Sequence, residues 1–382
     1  MKLATFSFNP KDRWSVDRFP ELDSENTLVT VFGAPEYLET PTAIFELASA
    51  YPASKLVGCS TAGEISGSLV NDGSLSVAIA QFERSSIAIA SRKIDRIDES
   101  QHVGEHLARQ LYRPGLRNIF VLSDGLKVNG SALARGFNSV LLKTVLISGA
   151  LAADGKDFQR TWVIRNRRPE SGVVTAIGFY GSNLVVSHGS CGGWDGFGPE
   201  RRITRSRDNI LYELDGRSAL SLYKEYLGEL ASGLPGTAML FPLAIRRDAP
   251  GSSRLIRTVL GIDEAAQSLI FAGEIPKGHL SQLMRGNFEH LVDGARVAAC
   301  AAAQARPETS AAEPSLAMTV SCVGRRLVLG ERTEEETEAA LANLPANTMQ
   351  VGFYSYGEIS PLAGGGADLH NQTITLTLLS EA

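Results

Sequence analysis

The chain has 382 residues, 43% of them apolar and 21% charged, which suits two globular domains with buried cores and argues against a disordered chain. Its net charge of -5 and its scattered Lys and Arg residues argue against nucleic acid or an anionic membrane as the main partner. No apolar stretch approaches the roughly 20 residues of a membrane span, and no signal-peptide core follows the N-terminus. The four cysteines lie far apart without a Cys-x-x-Cys pair, so we expect a cytoplasmic protein with reduced thiols.

The first 199 residues carry the pattern of an α/β domain. Apolar runs and amphipathic stretches predict strands at 27–32, 55–58, 118–122 and 144–147, and helices at 41–51, 99–112 and 131–142. Alternating apolar and small residues at 74–82 and 85–92 predict a hairpin with one buried face.

Two parts of this domain resemble each other. Residues 56–63 align with 147–154, and residues 77–82 align with 174–179, so helix, strand, small-residue turn and hairpin occur twice. The similarity predicts an internal duplication of a helix-strand-hairpin unit, with the glycine-rich turns facing one cleft. The alternative is that such segments look alike by convergence.

The remaining residues predict a connection and a second domain. A loop at 203–214 and an amphipathic helix at 218–230 come first. They are followed by strands at 254–260, 268–271, 316–322, 349–354 and 372–379, helices at 280–305 and 334–344, and a mobile loop within 301–314. We therefore predict an α/β fold of two α/β domains with mixed sheets, namely an N-terminal domain at 1–199, a connecting loop and helix at 200–232, and a C-terminal domain at 233–382.

Three segments have Gly-Glu-Ile just past an apolar strand, and they contain Glu64, Glu274 and Glu358. The glycine permits a positive φ where the strand ends, and the carboxylate can accept backbone N–H groups of a neighbouring turn. We expect these residues to organise the local structure. The alternative is a pair of catalytic acids of the glycoside-hydrolase kind, although nothing in the sequence places two of them face to face.

The first and third of these turns supply candidate ligand-binding residues. They are Gly58, Cys59, Ser60, Thr61, Gly63, Glu64, Tyr356 and Glu358. Residues 58–62 also resemble a nucleophile elbow, which leaves a hydrolase using Ser60 or Cys59 as an alternative, although the second glycine is displaced. Residues 149–157 resemble a phosphate-binding loop, but one residue too many between the glycines argues against nucleotide binding.

A glycine-rich stretch at 188–199 predicts a loop that wraps a planar ligand. Gly192 and Gly193 free the backbone, and Trp194 and Phe197 supply flat apolar surface. Arg201 follows and is a candidate to neutralise acidic groups on the ligand. The alternative is a glycine-rich linker that two aromatic residues hold to the domain surface.

Several separated segments together resemble the FIST family, with a FIST N and a FIST C domain over nearly the whole chain. They are residues 58–65, 192–199, 203–206, 211–216, 321–325, 353–359 and 369–373. The resemblance implies an intracellular sensor that binds a small ligand, such as an amino acid, and reports it to a signalling partner. We expect no enzyme, because no nucleophile, base and orienting group occur with suitable spacing.

The stretch from Trp194 to Arg201 also resembles the nitric-oxide-sensing, haem-binding branch of this family. That resemblance implies a noncovalent haem b and a sensor histidine kinase or a cyclic-di-GMP enzyme as the partner, with an amino-acid sensor as the alternative. A b-type haem needs a neutral imidazole in apolar surroundings. His188 and His370 each adjoin a glycine-rich segment, so we expect one of them to ligate the iron, the alternative being a structural hydrogen bond.

Overall fold

The computed structural model describes residues 1–249, 252, 254–307, 313–362 and 364–382. Its strands are β1 (Lys2–Asn9), β2 (Arg13–Trp14), β3 (Thr27–Gly33), β4 (Lys55–Ser60), β5 (Glu64–Ser66), β6 (Leu69–Asn71), β7 (Leu75–Gln81), β8 (Ser86–Lys93), β9 (Leu116–Ser123), β10 (Leu146–Leu151), β11 (Val163–Arg165), β12 (Arg168–Glu170), β13 (Val173–Tyr180), β14 (Leu184–Cys191), β15 (Trp194–Arg207), β16 (Ile210–Leu214), β17 (Arg217–Ser218), β18 (Leu243–Arg246), β19 (Leu255–Arg257), β20 (Val259–Asp263), β21 (Ser268–Phe271), β22 (Leu280–Gly286), β23 (Ser315–Cys322), β24 (Thr348–Ser355), β25 (Gly357–Pro361), β26 (Ala367–His370) and β27 (Ile374–Glu381). Its α-helices are α1 (Thr42–Ala50), α2 (Ser100–Leu111), α3 (Gly130–Val140), α4 (Ala219–Leu227), α5 (Phe288–Gln304), α6 (Val323–Leu329) and α7 (Thr333–Ala342). Short 3-10 helices lie at Pro35–Leu38, Ile97–Glu99, Gly228–Gly233, Gly236–Leu240 and Gly330–Arg332.

Three of the four sheets share one strand order. The first sheet is β12-β11-β4-β3-β7-β1-β2, the second is β26-β25-β10-β9-β13-β8, and the third is β6-β5-β24-β23-β27-β14. Each has one parallel pair at its centre, namely β3 with β4, β9 with β10, or β23 with β24. A helical crossover joins each parallel pair, as parallel strands require. The unit that the sequence shows twice therefore has a third copy in the C-terminal part.

Each unit also contributes a hairpin to another sheet. The hairpin β5-β6 follows β4 of the first sheet but pairs with β24 of the third. The hairpin β11-β12 follows β10 of the second sheet but pairs with β4 of the first, and β25-β26 follows β24 but pairs with β10. This exchange is cyclic, so the three sheets interlock. Strands from both sides of residue 199 share the second and third sheets.

The three sheets enclose a common apolar core between their inner faces. Phe32, Phe120 and Phe353 come from the first, second and third sheet, and each is at most 1% exposed. On the outer faces, α1 packs on the first sheet, α2 and α3 on the second, and α5 and α7 on the third. Because both faces are covered, the central strands are continuous apolar runs, and the sequence marks them clearly.

A glycine stands at an equivalent place in the second strand of each parallel pair. These residues are Gly58, Gly149 and Gly352. A Cβ at any of them would overlap with a carbonyl oxygen of the neighbouring strand, that of Val31, Val121 or Thr319 respectively. Glycine is therefore needed at each position for the backbones to approach.

The fourth sheet is an insertion between β14 and α5. Its order is β19-β18-β22-β15-β16-β21-β20, with β17 paired to β16. Helix α4 packs on it through Leu220, Tyr223 and Leu227, which are buried in a separate core. The insertion begins at Trp194 and ends at Gly286, and these two residues face each other in β15 and β22. Its two ends are therefore adjacent.

The predicted hairpin at 74–82 and 85–92 is wrong. Strand β7 pairs with β1 and β3 of the first sheet, while β8 pairs with β13 of the second. The chain passes between two sheets at this turn, so the two strands have different partners, and β7 is buried on both faces. The same holds for the segment 174–179. It lies in β13 of the second sheet, and the strand that follows, β14, lies in the third sheet.

Two further elements differ from prediction. The expected loop at 203–214 forms parts of β15 and β16, in which exposed charged residues alternate with a few buried ones. The expected helix at 280–305 is a strand, β22, followed by α5. Helix α5 begins after Asn287, whose side chain caps it by accepting hydrogen bonds from the amides of Glu289 and His290.

The predicted α/β class with mixed sheets is confirmed. The boundaries at 199 and 233 stay a prediction, to which the structure adds that strands on both sides pair. Among the described residues, no helix is both long enough and apolar enough to cross a membrane. Part of the predicted mobile loop at 301–314 lies outside the described residues.

Candidate ligand-binding cleft

A cleft of about 840 Å³ lies where the inserted sheet meets the three-sheet body. Its walls come from α3, from the junction of β14 and β15, from β18 and β19, from the segment between β21 and β22, and from the hairpin β25-β26. The volume is within the range of about 300–1,000 Å³ that small-molecule pockets have. Residues from both halves of the chain therefore line one site.

The cleft is rich in arginine. Its wall contains Arg135, Arg246, Arg247, Arg254 and Arg257, against the two carboxylates of Glu274 and Asp368. The five guanidinium groups outnumber the carboxylates of Glu274 and Asp368, and still do so when Glu200, which pairs with Arg246, is counted. This excess of positive charge favours an anionic ligand.

Two of these arginines are held at the rim by Glu200. The guanidinium of Arg246 donates to both carboxylate oxygens of Glu200, at 2.8 and 2.5 Å, and Arg254 lies 3.6 Å from the same group. This bidentate contact with Arg246 lowers the pKa of Glu200. Because the two arginines share one carboxylate, some of their N–H groups remain to bind a ligand.

Arg257 lies deeper and is only 2% exposed. Its guanidinium donates to the carbonyl oxygens of Leu369 at 2.7 Å and Glu274 at 3.2 Å. Burial lowers its pKa, and the nearby carboxylates of Asp368 and Glu274 oppose that effect. Arg257 therefore ties the inserted sheet to β26 and fixes the shape of the inner wall.

An ion pair connects two walls of the cleft. The guanidinium of Arg135, on α3, lies 2.7 Å from the carboxylate of Glu274, in the segment that follows β21. Both side chains are partly exposed, so the Coulomb energy of the pair is screened by water. An anionic ligand would compete with Glu274 for Arg135.

Two buried polar atoms in the wall lack a partner. Neither Ser131 Oγ nor His370 Nε2 forms a hydrogen bond with any residue that the structure describes. Burial, together with the charge of Arg257, lowers the pKa of His370 to about 4, so its imidazole is neutral near pH 7. Unpaired buried polar groups cost free energy, and here both lie where a ligand could pair with them.

Of the predicted ligand-binding residues, Gly192, Gly193 and Trp194 line the cleft. The predicted wrapping loop is wrong, because most of this stretch is strand. Trp194 is largely buried, and its Nε1–H donates to the carbonyl oxygen of Gln372 at 2.7 Å. Phe197 packs against the core of the inserted sheet, so the two rings do not form one surface.

Arg201 lies outside the cleft wall. Its guanidinium donates to Tyr226 Oη at 2.8 Å and to Asp215 at 3.1 Å. It therefore secures the inserted sheet against α4.

The turn after β4 does not reach the cleft. The Glu64 carboxylate accepts hydrogen bonds from the hydroxyl of Thr61, from the Ser74 amide at 3.0 Å and from Ser74 Oγ at 2.8 Å. Gly63 stands against the guanidinium of Arg326, and Gly58 packs on β3. Burial raises the pKa of Glu64 to about 7, partly offset by these donors.

The turn after β24 is built in the same way. The Glu358 carboxylate accepts from Ser355 Oγ at 2.7 Å, from the Thr373 amide at 3.2 Å and from Thr373 Oγ1 at 2.8 Å. Burial raises its pKa to about 8. Tyr356 donates its hydroxyl to Asp154 and stacks on Phe158. Glu64 and Glu358 therefore have the organising contacts that the sequence predicts.

Cys59 and Ser60 lack the environment of a nucleophile. Cys59 is fully buried, and burial raises the pKa of its thiol, whereas an activated thiol has a lowered pKa. Ser60 Oγ accepts a hydrogen bond from the Trp162 amide at 3.0 Å. This geometry does not support the hydrolase alternative.

The two candidate haem ligands have different surroundings. His188 is on β14, and burial lowers its pKa to about 3. Its Nε2 lies 3.4 Å from Ser360 Oγ. Only His370 of the two lines the cleft. No cluster of three or more His, Cys, Asp or Glu side chains suited to a metal ion occurs in the part of the chain that the structure describes.

Sequence reasoning missed most of the charged residues of the cleft. Arg135, Glu274 and Asp368 are far apart in sequence and meet only through the cyclic hairpin exchange and the insertion. One local signal was present, since Arg246, Arg247, Arg254 and Arg257 fall within twelve residues beside two short strands.

Comparison with known proteins gives the family. The family model described as the FIST N domain matches residues 27–217, and that described as the FIST C domain matches residues 219–361. An uncharacterized protein of Methanocaldococcus jannaschii is 27% identical over 196 residues, a match that covers 47% of this chain and only 36% of that protein. The crystal structure of cyanuric acid hydrolase from A. caulinodans aligns over 98% of this chain and 97% of its own, with 8% identity and a TM-score of 0.33, which is too low to support an inference. FIST domains are generally sensory domains for small ligands in signal transduction. The chain belongs to the FIST family, with its FIST N and FIST C domains lying between residues 27 and 361.

Proposed function

We propose that this FIST protein senses a small carboxylate-bearing metabolite that binds in the cleft. The excess of arginine over carboxylate in the wall carries the proposal. Guanidinium groups recognise carboxylates through paired hydrogen bonds, and partial burial strengthens such contacts. Glu274 and Asp368 add acceptors for an ammonium group, which favours an amino acid over a simple organic acid.

The cleft position also supports a sensory role. Its walls belong to α3, to the inserted sheet and to the hairpin β25-β26, so a bound ligand would contact all three at once. Such a ligand alters how these elements are held together, and a signalling partner could detect that change. We propose a sensor histidine kinase or a cyclic-di-GMP enzyme as that partner.

Thermal unfolding of the purified protein with amino acids and dicarboxylates tests the ligand class. A carboxylate that binds should raise the unfolding temperature in proportion to the logarithm of its concentration. Arg254→Ala should weaken binding about tenfold by calorimetry, because it removes a charged donor at the rim. Arg205→Ala is the matched control, since Arg205 pairs with Glu213 on the inserted sheet and does not line the cleft. Equal loss of affinity in both variants would contradict the cleft assignment.

Haem is a second candidate ligand, and His370 is the observation that favours it. A neutral imidazole with an unpaired Nε2 beside arginines fits an axial ligand with partners for two propionates. When bound, haem would supply a ferrous iron that takes nitric oxide. Trp194 and Met284 would then supply apolar contacts.

Haemin titration separates the two candidates. Haem binding should give a Soret band that shifts on reduction and again with nitric oxide, and His370→Ala should weaken haem retention. His102→Ala is the control, because the His102 side chain is 83% exposed on α2. Stabilisation by an amino acid without any Soret shift would reject haem and leave the carboxylate sensor.

A further inference from the structure

We propose that the first turn of α3 is the subsite that receives a carboxylate of the ligand. This inference rests on the proposed function, because it assigns one end of the ligand in the same cleft. It commits to a monoanionic carboxylate bound by the side chains of Ser131 and Arg135 near the N-terminus of the helix.

The start of α3 has free donors. The helix has 11 residues, and its Asn129 cap accepts a hydrogen bond from the Ala132 amide at 3.0 Å. The amides of Gly130 and Ser131 make no hydrogen bond to any described acceptor. Helix N-termini carry partial positive charge and attract anions, although a helix start alone does not define a site.

Ser131 supplies the second, independent observation. Its side chain is 2% exposed, lines the cleft, and has an Oγ without a partner among the described residues. The second serine of this helix does not share that feature, since Ser139 Oγ donates to the Gly136 carbonyl oxygen at 2.8 Å. A buried, unpaired hydroxyl on a residue that lines the cleft is explained by an acceptor that arrives with the ligand.

Arg135 completes the subsite. It lies four residues after Ser131 and so shares its helix face, and both side chains line the cleft. The carboxylate of Glu274, 2.7 Å from the guanidinium, occupies only part of the five N–H donors. A ligand carboxylate would accept from Arg135 and from the Ser131 hydroxyl at once.

The neighbouring strand fixes where α3 stands. The side chain of Asn138 donates to the Ala367 carbonyl oxygen at 2.8 Å and accepts from the Ala367 amide at 2.9 Å. This reciprocal pair docks α3 on β26, which also carries Asp368 and His370. The subsite is therefore held rigidly against the inner wall of the cleft.

The surrounding charges select carboxylate over phosphate. Glu274 pairs with Arg135, and Asp368 lines the same wall. Both carboxylates would repel the second negative charge of a phosphate more than the single charge of a carboxylate. Inorganic phosphate therefore serves as the discriminating probe.

The test measures binding of L-glutamate, succinate and inorganic phosphate by calorimetry, in the full-length protein and two serine variants. Ser131→Ala should raise the Kd of the carboxylate that binds by about ten- to a hundredfold, the usual effect of one lost hydrogen bond to a charged group. Ser139→Ala should change that Kd less than twofold. The unfolding temperature of ligand-free Ser131→Ala should equal or exceed that of the native protein, because the substitution removes an unpaired buried hydroxyl.

The outcomes separate this inference from the function on which it rests. If Arg254→Ala weakens binding while Ser131→Ala matches Ser139→Ala, the cleft binds the ligand but the α3 subsite is wrong. Tighter binding of phosphate than of either carboxylate also overturns the subsite. If neither carboxylate nor any amino acid binds the native protein, the proposed function fails and the subsite fails with it.

Discussion

At the scale of single residues, two buried carboxyl groups close equivalent turns. Glu64 joins the end of β4 to Ser74 before β7, and Glu358 joins the end of β24 to Thr373 before β27. Each carboxyl group accepts hydrogen bonds from the backbone amide and the side-chain hydroxyl of the residue just before the last strand of its unit. Each turn surrounds a carboxyl group with hydrogen-bond donors that favour its ionised form, yet burial opposes its charge.

This conflict predicts a pH dependence of stability. Burial raises the pKa of Glu358 to about 8 from an ordinary value of 4.5, so the folded protein keeps a proton that the unfolded chain releases. The free energy of unfolding should therefore fall as pH rises from about 5 to 8, by at most about 1.4 kcal/mol per pH unit for this one group. Glu358→Gln cannot ionise, so its stability should fall less steeply over the same range.

Urea unfolding at pH 5.5, 7 and 8.5 measures this slope. The Gln variant should be less stable than the native protein at pH 5.5, since its amide nitrogen cannot accept a hydrogen bond, and the gap should narrow by pH 8.5. Glu338→Gln, at an exposed position on α7, should leave the slope unchanged. Parallel curves for the native protein and Glu358→Gln would mean that Glu358 is ionised throughout.

These residues also show how far sequence reasoning reaches. The sequence marks Gly58 as a candidate ligand contact, and Glu64 and Glu358 as organising or ligand-binding residues. The sequence could not separate packing from ligand binding, and the structure gives all three packing contacts. Four of the cleft arginines cluster in residues 246–257, but only the fold brings them together with Arg135.

At the scale of secondary structure elements, most α-helices and the central strands of the three-sheet body could be predicted, but the short hairpins and the pairing of the strands could not. Buried apolar runs located β3, β9, β23 and β24 within a few residues, because both faces of these strands are covered. Two strands joined by a short turn have the same sequence pattern whether they pair with each other or lie in different sheets. The partner of a strand is a non-local property, and a single sequence does not contain it.

The parallel pairs provide an element-scale prediction. Gly352→Ala should destabilise the protein by about 3 kcal/mol, because the new Cβ would overlap with the Thr319 carbonyl oxygen and push β24 away from β23. Chemical denaturation measures the loss. Gly236→Ala is the control, since no atom lies within 4 Å of a Cβ placed there. A loss below about 1 kcal/mol for Gly352→Ala would show that the two backbones can separate without cost.

At the scale of the whole molecule, the cyclic hairpin exchange makes the three sheets depend on one another. The second sheet takes β25-β26 from the C-terminal part, and the third takes β5-β6 and β14 from the N-terminal part. The inserted sheet is different, because it has its own core and adjacent ends. The division that the structure suggests is therefore body and insertion, in contrast to the consecutive halves predicted from the sequence.

Two truncated chains test this division. In the first, a linker of about four Gly and Ser residues replaces residues 195–285, since Trp194 and Gly286 are paired neighbours that a short connection can span. We expect this chain to unfold cooperatively, at reduced stability, because all strands of the three-sheet body remain. The second chain consists of residues 1–217, which include the FIST N match at residues 27–217. It should show no cooperative transition by near-ultraviolet circular dichroism, because β14 and β5 lose the strands with which they pair and the shared core around Phe32 and Phe120 opens. A cooperative transition in the 1–217 chain would instead show that the N-terminal half folds alone and that the exchanged hairpins only join two independent domains.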